Sequence, residues 1–211
     1  ISQDDNIALK SGRNQEGRKV GRPTYNVWVE DCQFFDGFGL ALGSEMSGGI
    51  HQVTFKDCVL TNCATLALIK SYRGRGGLIS DVTFEGIRYT NKTQFPDWYQ
   101  IWTPAPITLN CFYSERTPDY QTPREVDSGT PTIRNILFRD ITISDSMNRK
   151  SIQMIGLPER PAKHISFDRV HVETKQPVFG ANVSVEQSNI QGPPESAIVW
   201  EPSFKNKQES K

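Results

Sequence analysis

The clearest order in the chain is a recurring pattern of apolar and polar positions. Five seven-residue segments superpose: Asn26-Val27-Trp28-Val29-Glu30-Asp31-Cys32, Gln52-Val53-Thr54-Phe55-Lys56-Asp57-Cys58, Asp81-Val82-Thr83-Phe84-Glu85-Gly86-Ile87, Asn135-Ile136-Leu137-Phe138-Arg139-Asp140-Ile141 and His164-Ile165-Ser166-Phe167-Asp168-Arg169-Val170. In each, the second, fourth and seventh positions are apolar while the third and fifth are mostly polar. That is strand alternation followed by a turn, and a helical period does not fit it. The segments begin at residues 26, 52, 81, 135 and 164, so successive starts lie 26, 29, 54 and 29 residues apart. The long interval contains residues 92–104 and 114–131, rich in proline, aromatic and charged residues, which read as loop insertions leaving the repeat.

A unit this short cannot bury its own apolar face, so neighbouring units must stack and share a continuous core. The pattern predicts an all-β fold, a right-handed parallel β-helix, with residues 1–211 forming a single domain. Strands one coil apart sit about 4.8 Å from each other, which lines up equivalent side chains as ladders. Cys32, Cys58, Ile87, Ile141 and Val170 are expected to form one internal ladder, and Val29, Phe55, Phe84, Phe138 and Phe167 another. Leucine motifs of the horseshoe type and the Trp-Asp signature of propeller blades are both missing. The chain opens on residues that read as a turn entering a buried strand, and a bare coil end would expose an unpaired strand edge. The N-terminal coils and cap are therefore expected upstream of residue 1.

Composition narrows the partners. Lysine plus arginine (24) balance aspartate plus glutamate (24), so global charge offers no pull toward nucleic acid or an acidic membrane surface. No apolar run approaches the roughly 20 residues needed to cross a bilayer, and no signal peptide is visible. Cys32, Cys58, Cys63 and Cys111 show no CxxC pair and no His spacing suited to zinc, so they read as buried free thiols rather than a metal site. Asn91-Lys92-Thr93 and Asn182-Val183-Ser184 match the glycosylation sequon.

Three polar clusters occupy similar places in successive coils: Gln3-Asp4-Asp5-Asn6; Gly37-Phe38-Gly39 with Gly43-Ser44-Glu45-Met46-Ser47-Gly48-Gly49; and Lys70-Ser71-Tyr72-Arg73-Gly74-Arg75-Gly76-Gly77. Stacking in register makes them neighbours, with acids at one level of a groove and cations at the next. Glycosidic cleavage needs one carboxylic acid to protonate the leaving oxygen and one carboxylate to activate water. Asp4 and Asp5 can supply both if a bend brings them to one side, since neighbours on an ideal strand point apart. Crowding raises the proton affinity of one of them. Taken alone, an Asp-Asp dipeptide reads first as a solvated turn, and only the stacked neighbours point to chemistry. Lys70, Arg73 and Arg75 suit the carboxylates of an acidic sugar, Arg bidentately, and Gly74, Gly76 and Gly77 let backbone come close. Trp98, Tyr99 and Trp102 in the first insertion can stack on sugar faces or simply pack the loop.

These motifs, in this order, resemble those of family-28 glycoside hydrolases, the polygalacturonase family. Asp4-Asp5-Asn6-Ile7-Ala8-Leu9-Lys10-Ser11-Gly12 is similar to that family's paired-aspartate strand. Gly21-Arg22-Pro23-Thr24, the Gly43–Gly49 segment and Arg73-Gly74-Arg75-Gly76-Gly77 resemble the bacterial, often exo-acting branch. The resemblance implies that Asp4 is the general acid and that Asp5 helps activate water in an inverting reaction. By the same resemblance Lys70 binds a substrate carboxylate, Tyr113 contacts substrate, and Phe38, Ser44, Glu45, Arg73 and Arg75 join the binding surface. A third family aspartate would lie upstream of residue 1.

Two departures stand out: Phe38 occupies the place of the family's histidine, and Leu68 that of its arginine. The expected function is hydrolysis of α-linked galacturonic acid or a related pectic sugar, from chain ends, without metal or organic cofactor. The implied partner is a pectic poly- or oligosaccharide, together with the missing N-terminal part of the same protein. Nucleic acid and membrane are not expected as partners, and the implied location is extracellular or periplasmic. Phe38 and Leu68 keep open a carbohydrate-binding protein that has lost catalysis, and a calcium-dependent lyase would need a carboxylate cluster that the sequence does not display.

Overall fold

The computed structural model describes residues 2–96, 101–115, 118–173 and 175–201. Among these, every strand pairing is parallel, and the chain winds as a parallel β-helix. One sheet has seven strands, one from each successive rung: Ile7–Leu9, Leu40–Gly43, Ala67–Lys70, Ile107–Asn110, Ile152–Ile155, Val178–Ala181 and Ile198–Glu201. A second, branched sheet carries Thr24–Glu30, Ile50–Lys56, Leu78–Glu85, Thr132–Asp145, Ala162–Val172 and Val183–Gln191. The short strands Gln33–Phe35, Val59–Thr61 and Arg88–Asn91 line up against the far half of Thr132–Asp145. No helix among the described residues is long and apolar enough to cross a membrane.

The repeat maps onto backbone geometry. Its first position, Asn26, Gln52, Asp81, Asn135 and His164, has φ of 55°, 55°, 56°, 56° and 55°. Its sixth position is also left-handed, at Asp31, Asp57, Gly86, Asp140 and Arg169. Asn, Asp and Gly tolerate this region better than other residues, and they fill seven of these ten places. The residues bounding each segment are therefore left-handed bends that kink the chain within the second sheet, inside a strand at the first position and inside or between strands at the sixth.

Between the bends the expected ladder forms. Val29 pairs with Phe55, Phe55 with Phe84, Phe84 with Phe138 and Phe138 with Phe167. The four phenylalanine rings stack with centroids 5.0, 5.0 and 5.2 Å apart, and Trp200 extends the column at 5.4 Å. On the outer face the fifth position alternates in sign, Glu30, Lys56, Glu85, Arg139 and Asp168, with ion pairs of 2.9, 3.4 and 3.2 Å. Those pairs are solvated and add little stability, whereas the phenylalanine column is fully buried. All four cysteines are free thiols; Cys58, Cys63 and Cys111 are buried and Cys32 half-buried.

Both insertions are pinned to the coil. The backbone N–H groups of Gly74 and Gly76 donate to the Gly129 carbonyl at 2.8 and 2.7 Å, and a Cβ on Gly76 would lie 2.2 Å from the Ser128 carbonyl oxygen. The first insertion is held by a buried cluster. Arg149 donates to Asp145 at 2.7 Å, to the Thr103 carbonyl at 2.8 Å and to the Tyr89 hydroxyl at 2.9 Å. Asn91 completes the cluster by donating to Asp145 at 2.9 Å. Both sequon asparagines, Asn91 and Asn182, are 1% exposed and hydrogen-bonded, so neither presents its amide to a glycosylating enzyme in the folded protein.

Removing one partner of a buried pair leaves an uncompensated charge, at a cost of about 3–5 kcal/mol. Arg149→Met is thus expected to lower unfolding free energy by that order in urea melts. Arg149→Met with Asp145→Leu is expected to lose less than the single change, and an equal or larger loss would refute the pairing.

Candidate active site

The site sits on the outer face of the seven-stranded sheet, at its N-terminal rungs. Register sets its layout: Ala8 aligns with Ala41, Leu68 and Thr108, while Gly43, Lys70 and Asn110 lie side by side one step later. Alternate residues of these strands, such as Leu9, Leu42, Ile69 and Leu109, pack into the core. Among the intervening ones, Ala8, Leu68 and Lys70 line the groove.

The bend required to bring Asp4 and Asp5 together is present just before the strand Ile7–Leu9. The Asp5 N–H donates to Asp4 Oδ1 at 2.7 Å, and the Ser2 hydroxyl donates to the Asp4 carbonyl at 2.9 Å. From the next rung the Phe38 N–H donates to the same carbonyl at 3.0 Å. Phe38 is held between two glycines. A Cβ on Gly39, whose φ is +87°, would lie 2.1 Å from the Thr65 carbonyl oxygen, so the rungs approach too closely there for any side chain.

Asp4, Asp5, Lys70 and Tyr113 line a cavity of about 420 Å³ together with Ala8, Lys10, Ser44 and Glu45. A second hollow of about 190 Å³ shares the first four and adds Phe38, Leu68 and Trp102. Lys70 Nζ donates to both oxygens of Asp5, at 3.1 and 2.8 Å, with each side chain 7% exposed. It also lies 5.2 Å from the centroid of the Tyr113 ring, which packs at 4.8 Å against Trp102.

Burial raises the Asp5 carboxyl above its ordinary value of 3.8, against the lowering charge and hydrogen bonds of Lys70; the charge of Asp4 is a smaller upward push. Desolvation, rather than the crowding of two carboxyls expected from sequence, is the main cause. Burial likewise pushes the Tyr113 hydroxyl up to about 12.

The cations behave differently from expectation. Arg73 does not line either hollow; it forks onto Glu159 at 2.7 and 3.0 Å and reaches Glu115 at 3.1 Å. Arg75 is 2% exposed and reaches Asn14, Ser44 and Glu45 at 2.7, 3.2 and 3.1 Å, beneath the Tyr72 ring. Two arginines expected to grip a substrate carboxylate therefore hold the protein's own acids and fix the loops that carry them. Burial pulls the Glu45 carboxyl up, but bonds and charges from Lys10 and Arg75 leave it below the usual range. Lys10, which sequence reasoning did not single out, lines the first cavity and bonds Glu45 at 2.5 Å. Its place one residue beyond the strand, in the row that includes Lys70, was the available signal. Trp98 and Tyr99 lie outside the described residues. Among the described residues no group of three or more His, Cys, Asp or Glu side chains is arranged to hold a metal ion.

Comparison with known proteins fits this geometry. The family model described as glycosyl hydrolases family 28 matches residues 1–190. The chain belongs to that family. Among curated relatives, a Vitis vinifera protein named "Probable polygalacturonase" is 30% identical over 174 residues, which is 82% of this chain and 32% of that protein. An endo-polygalacturonase from Pectobacterium carotovorum subsp. carotovorum is 27% identical over 139 residues, 66% of this chain and 28% of that protein. The crystal structure of a hyperthermoactive exopolygalacturonase from Thermotoga maritima superposes with a TM-score of 0.63 at 21% identity, covering 89% of this chain and 38% of that one. That likeness supports the β-helix fold alone. The chain spans about a third of the length of the curated relatives it matches.

A raised carboxyl has a defined linkage sign. The folded state holds the Asp5 proton above 3.8, where the unfolded chain has released it. This group's stabilising contribution is therefore complete below 3.8 and falls as pH rises through the folded value. Unfolding free energy measured from below 3.8 upward should lose that downward component in Asp5→Asn. Identical slopes for the two proteins would contradict the burial argument.

Proposed function

We propose that the protein hydrolyses a glycosidic bond of a pectic polysaccharide, with Asp4 and Asp5 as the reacting carboxyl groups. The observation that carries this reading is the convergence of Asp4, Asp5, Lys70 and Tyr113, from separate rungs, on one cavity in a family-28 chain. Asp4 is the solvent-exposed member of the pair, which supports its assignment as the acid that meets the leaving oxygen. Asp5, held through both oxygens by Lys70, has a fixed orientation suited to aligning a water.

The stereochemistry we assign is inversion, as the family resemblance implies. End-on attack is supported by the two insertions: Trp102 from the first and Tyr120 from the second stand beside the groove. Phe38 and Leu68 line the hollow next to both aspartates, which supports a less acidic or differently decorated sugar at that point than unmodified galacturonate. A polymer of this kind lies outside the membrane, so the location that follows is extracellular or periplasmic. A second reading, a sugar-binding protein without turnover, is favoured by the same two apolar side chains and by the engagement of Lys70 with Asp5.

Incubating the full-length protein with pectic oligosaccharides and recording product anomers by NMR tests the proposal. Asp4→Asn is expected to reduce kcat by about 10²–10⁴-fold, the range for loss of a general acid, with the fold intact by circular dichroism. Unchanged turnover would remove Asp4 from the chemistry. Products of the retained anomer would exclude inversion, and internal scission of long chains would exclude end-on attack. Binding without any product would leave the second reading.

A further inference from the structure

The groove does not end at the aspartates. Beyond Trp102 and Tyr113, which line the hollow shared with Asp4 and Asp5, lies a chamber of about 720 Å³. Its walls include Trp102, Tyr113, Phe112 and Tyr120, with Gln153 and Asn110 at its sheet-side floor. Phe112 and Tyr120 meet edge-to-face at 5.0 Å, which fixes the far wall. The volume falls within the range of ligand pockets, about 300–1,000 Å³, and the lining has the usual form of such sites: aromatic faces with a few convergent polar groups.

Its charge decides what it fits. Among the described residues lining it, none is Lys or Arg, and the one charged side chain is Glu115, already bonded by Arg73 Nη1 at 3.1 Å. Among the described residues the cations that border it, Arg73 at 4.9 Å from the Phe112 ring centroid and Arg124 at 3.9 Å from Glu115, are already paired with Glu159 and Glu115, so a sugar carboxylate placed here would be desolvated and would have to compete with those acids, an arrangement that costs several kcal/mol. An uncharged pyranose would lose only hydroxyl hydration, which Gln153 and Asn110 can replace, and would lay its apolar face on an aromatic ring.

We propose that this chamber is a subsite for an uncharged pyranose of the glycan, whether a neutral hexose or a uronate carried as its methyl ester. The proposal rests on the glycan-cleaving reading above and adds to it a preference not set by the aspartates.

Three α-1,4-linked tetramers test it with the full-length protein: galacturonate as free acid, the same tetramer methyl-esterified, and the tetramer with carboxyl groups reduced to alcohols. The wild type is expected to show at least a tenfold higher kcat/KM for one or both uncharged tetramers than for the free acid. Which of the two leads tells esterified uronate from neutral hexose. Gln153→Lys, which brings a cation onto the rigid sheet floor, is expected to shrink that ratio to about threefold or less. Its unfolding midpoint serves as the check that the fold is kept, and Gln153→Arg is the replacement if it is not. A wild-type preference for the free acid, or an unchanged ratio in the lysine variant, would overturn the subsite. If no tetramer is cleaved, the hydrolase reading fails separately, and equilibrium binding of the same three probes still scores the chamber: tighter binding of the free acid, or no change of order with the variant, overturns it.

Discussion

In-register stacking of parallel rungs is the constraint on which everything else depends. Because each strand bonds the equivalent strand of the next rung, about 4.8 Å away, a residue's neighbours across the sheet are fixed by its place in the repeat. The same register that piles Phe55, Phe84, Phe138 and Phe167 into one column sets Ala8 against Ala41 and Leu68 on the opposite side of the coil. A slip of one residue would send the core set outward and the groove set inward. The site is thus as rigid as the core, since both are read from one ladder.

Charge within the groove is largely settled before any ligand arrives. Lys70 is held by Asp5, Lys10 and Arg75 by Glu45, and Arg73 by Glu159 and Glu115. These pairs orient the acids, and each cation would have to leave or share its partner to bind a sugar carboxylate. A surface whose cations are internally matched has little electrostatic reason to select a polyanion, which is consistent with apolar Phe38 and Leu68 beside the aspartates.

The fold was legible in the sequence because its repeat is written twice, once in apolar spacing and once in the Asn and Asp residues that tolerate left-handed bends. The phenylalanine ladder and the neighbourhood of Asp4, Asp5, Lys70, Tyr113, Ser44, Glu45 and Phe38 follow from that spacing together with the family resemblance. The internal pairing of Arg73 and Arg75 was not legible, for a physical reason. The repeat gives their place, but Glu159 and Glu115, which hold Arg73, lie outside it, and Asn14, which holds Arg75 together with Glu45, opens the short helix Asn14–Val20. Lys10 was overlooked because only the row it shares with Gly43 and Lys70 reveals it. The cause of the Asp5 shift was equally hidden, since burial is a property of the assembled coil and not of the dipeptide.

The remaining architecture divides labour between scaffold and insertions. Both insertions arise in the one doubled interval of the repeat, and repeat proteins tolerate such excursions because an insertion at a bend leaves the neighbouring rungs paired. Free loops would make poor walls, and these are not free. Arg149 holds the Thr103 carbonyl next to Trp102, and Gly129 accepts two backbone bonds from the Gly74–Gly76 turn. The aromatic chamber is therefore built from side chains whose backbone is tied to buried or sheet-adjacent groups. Its lining can change through loop residues such as Trp102 and Tyr120 without disturbing the register that positions the aspartates, so the chamber and the aspartate hollow are shaped by separable parts of the same coil.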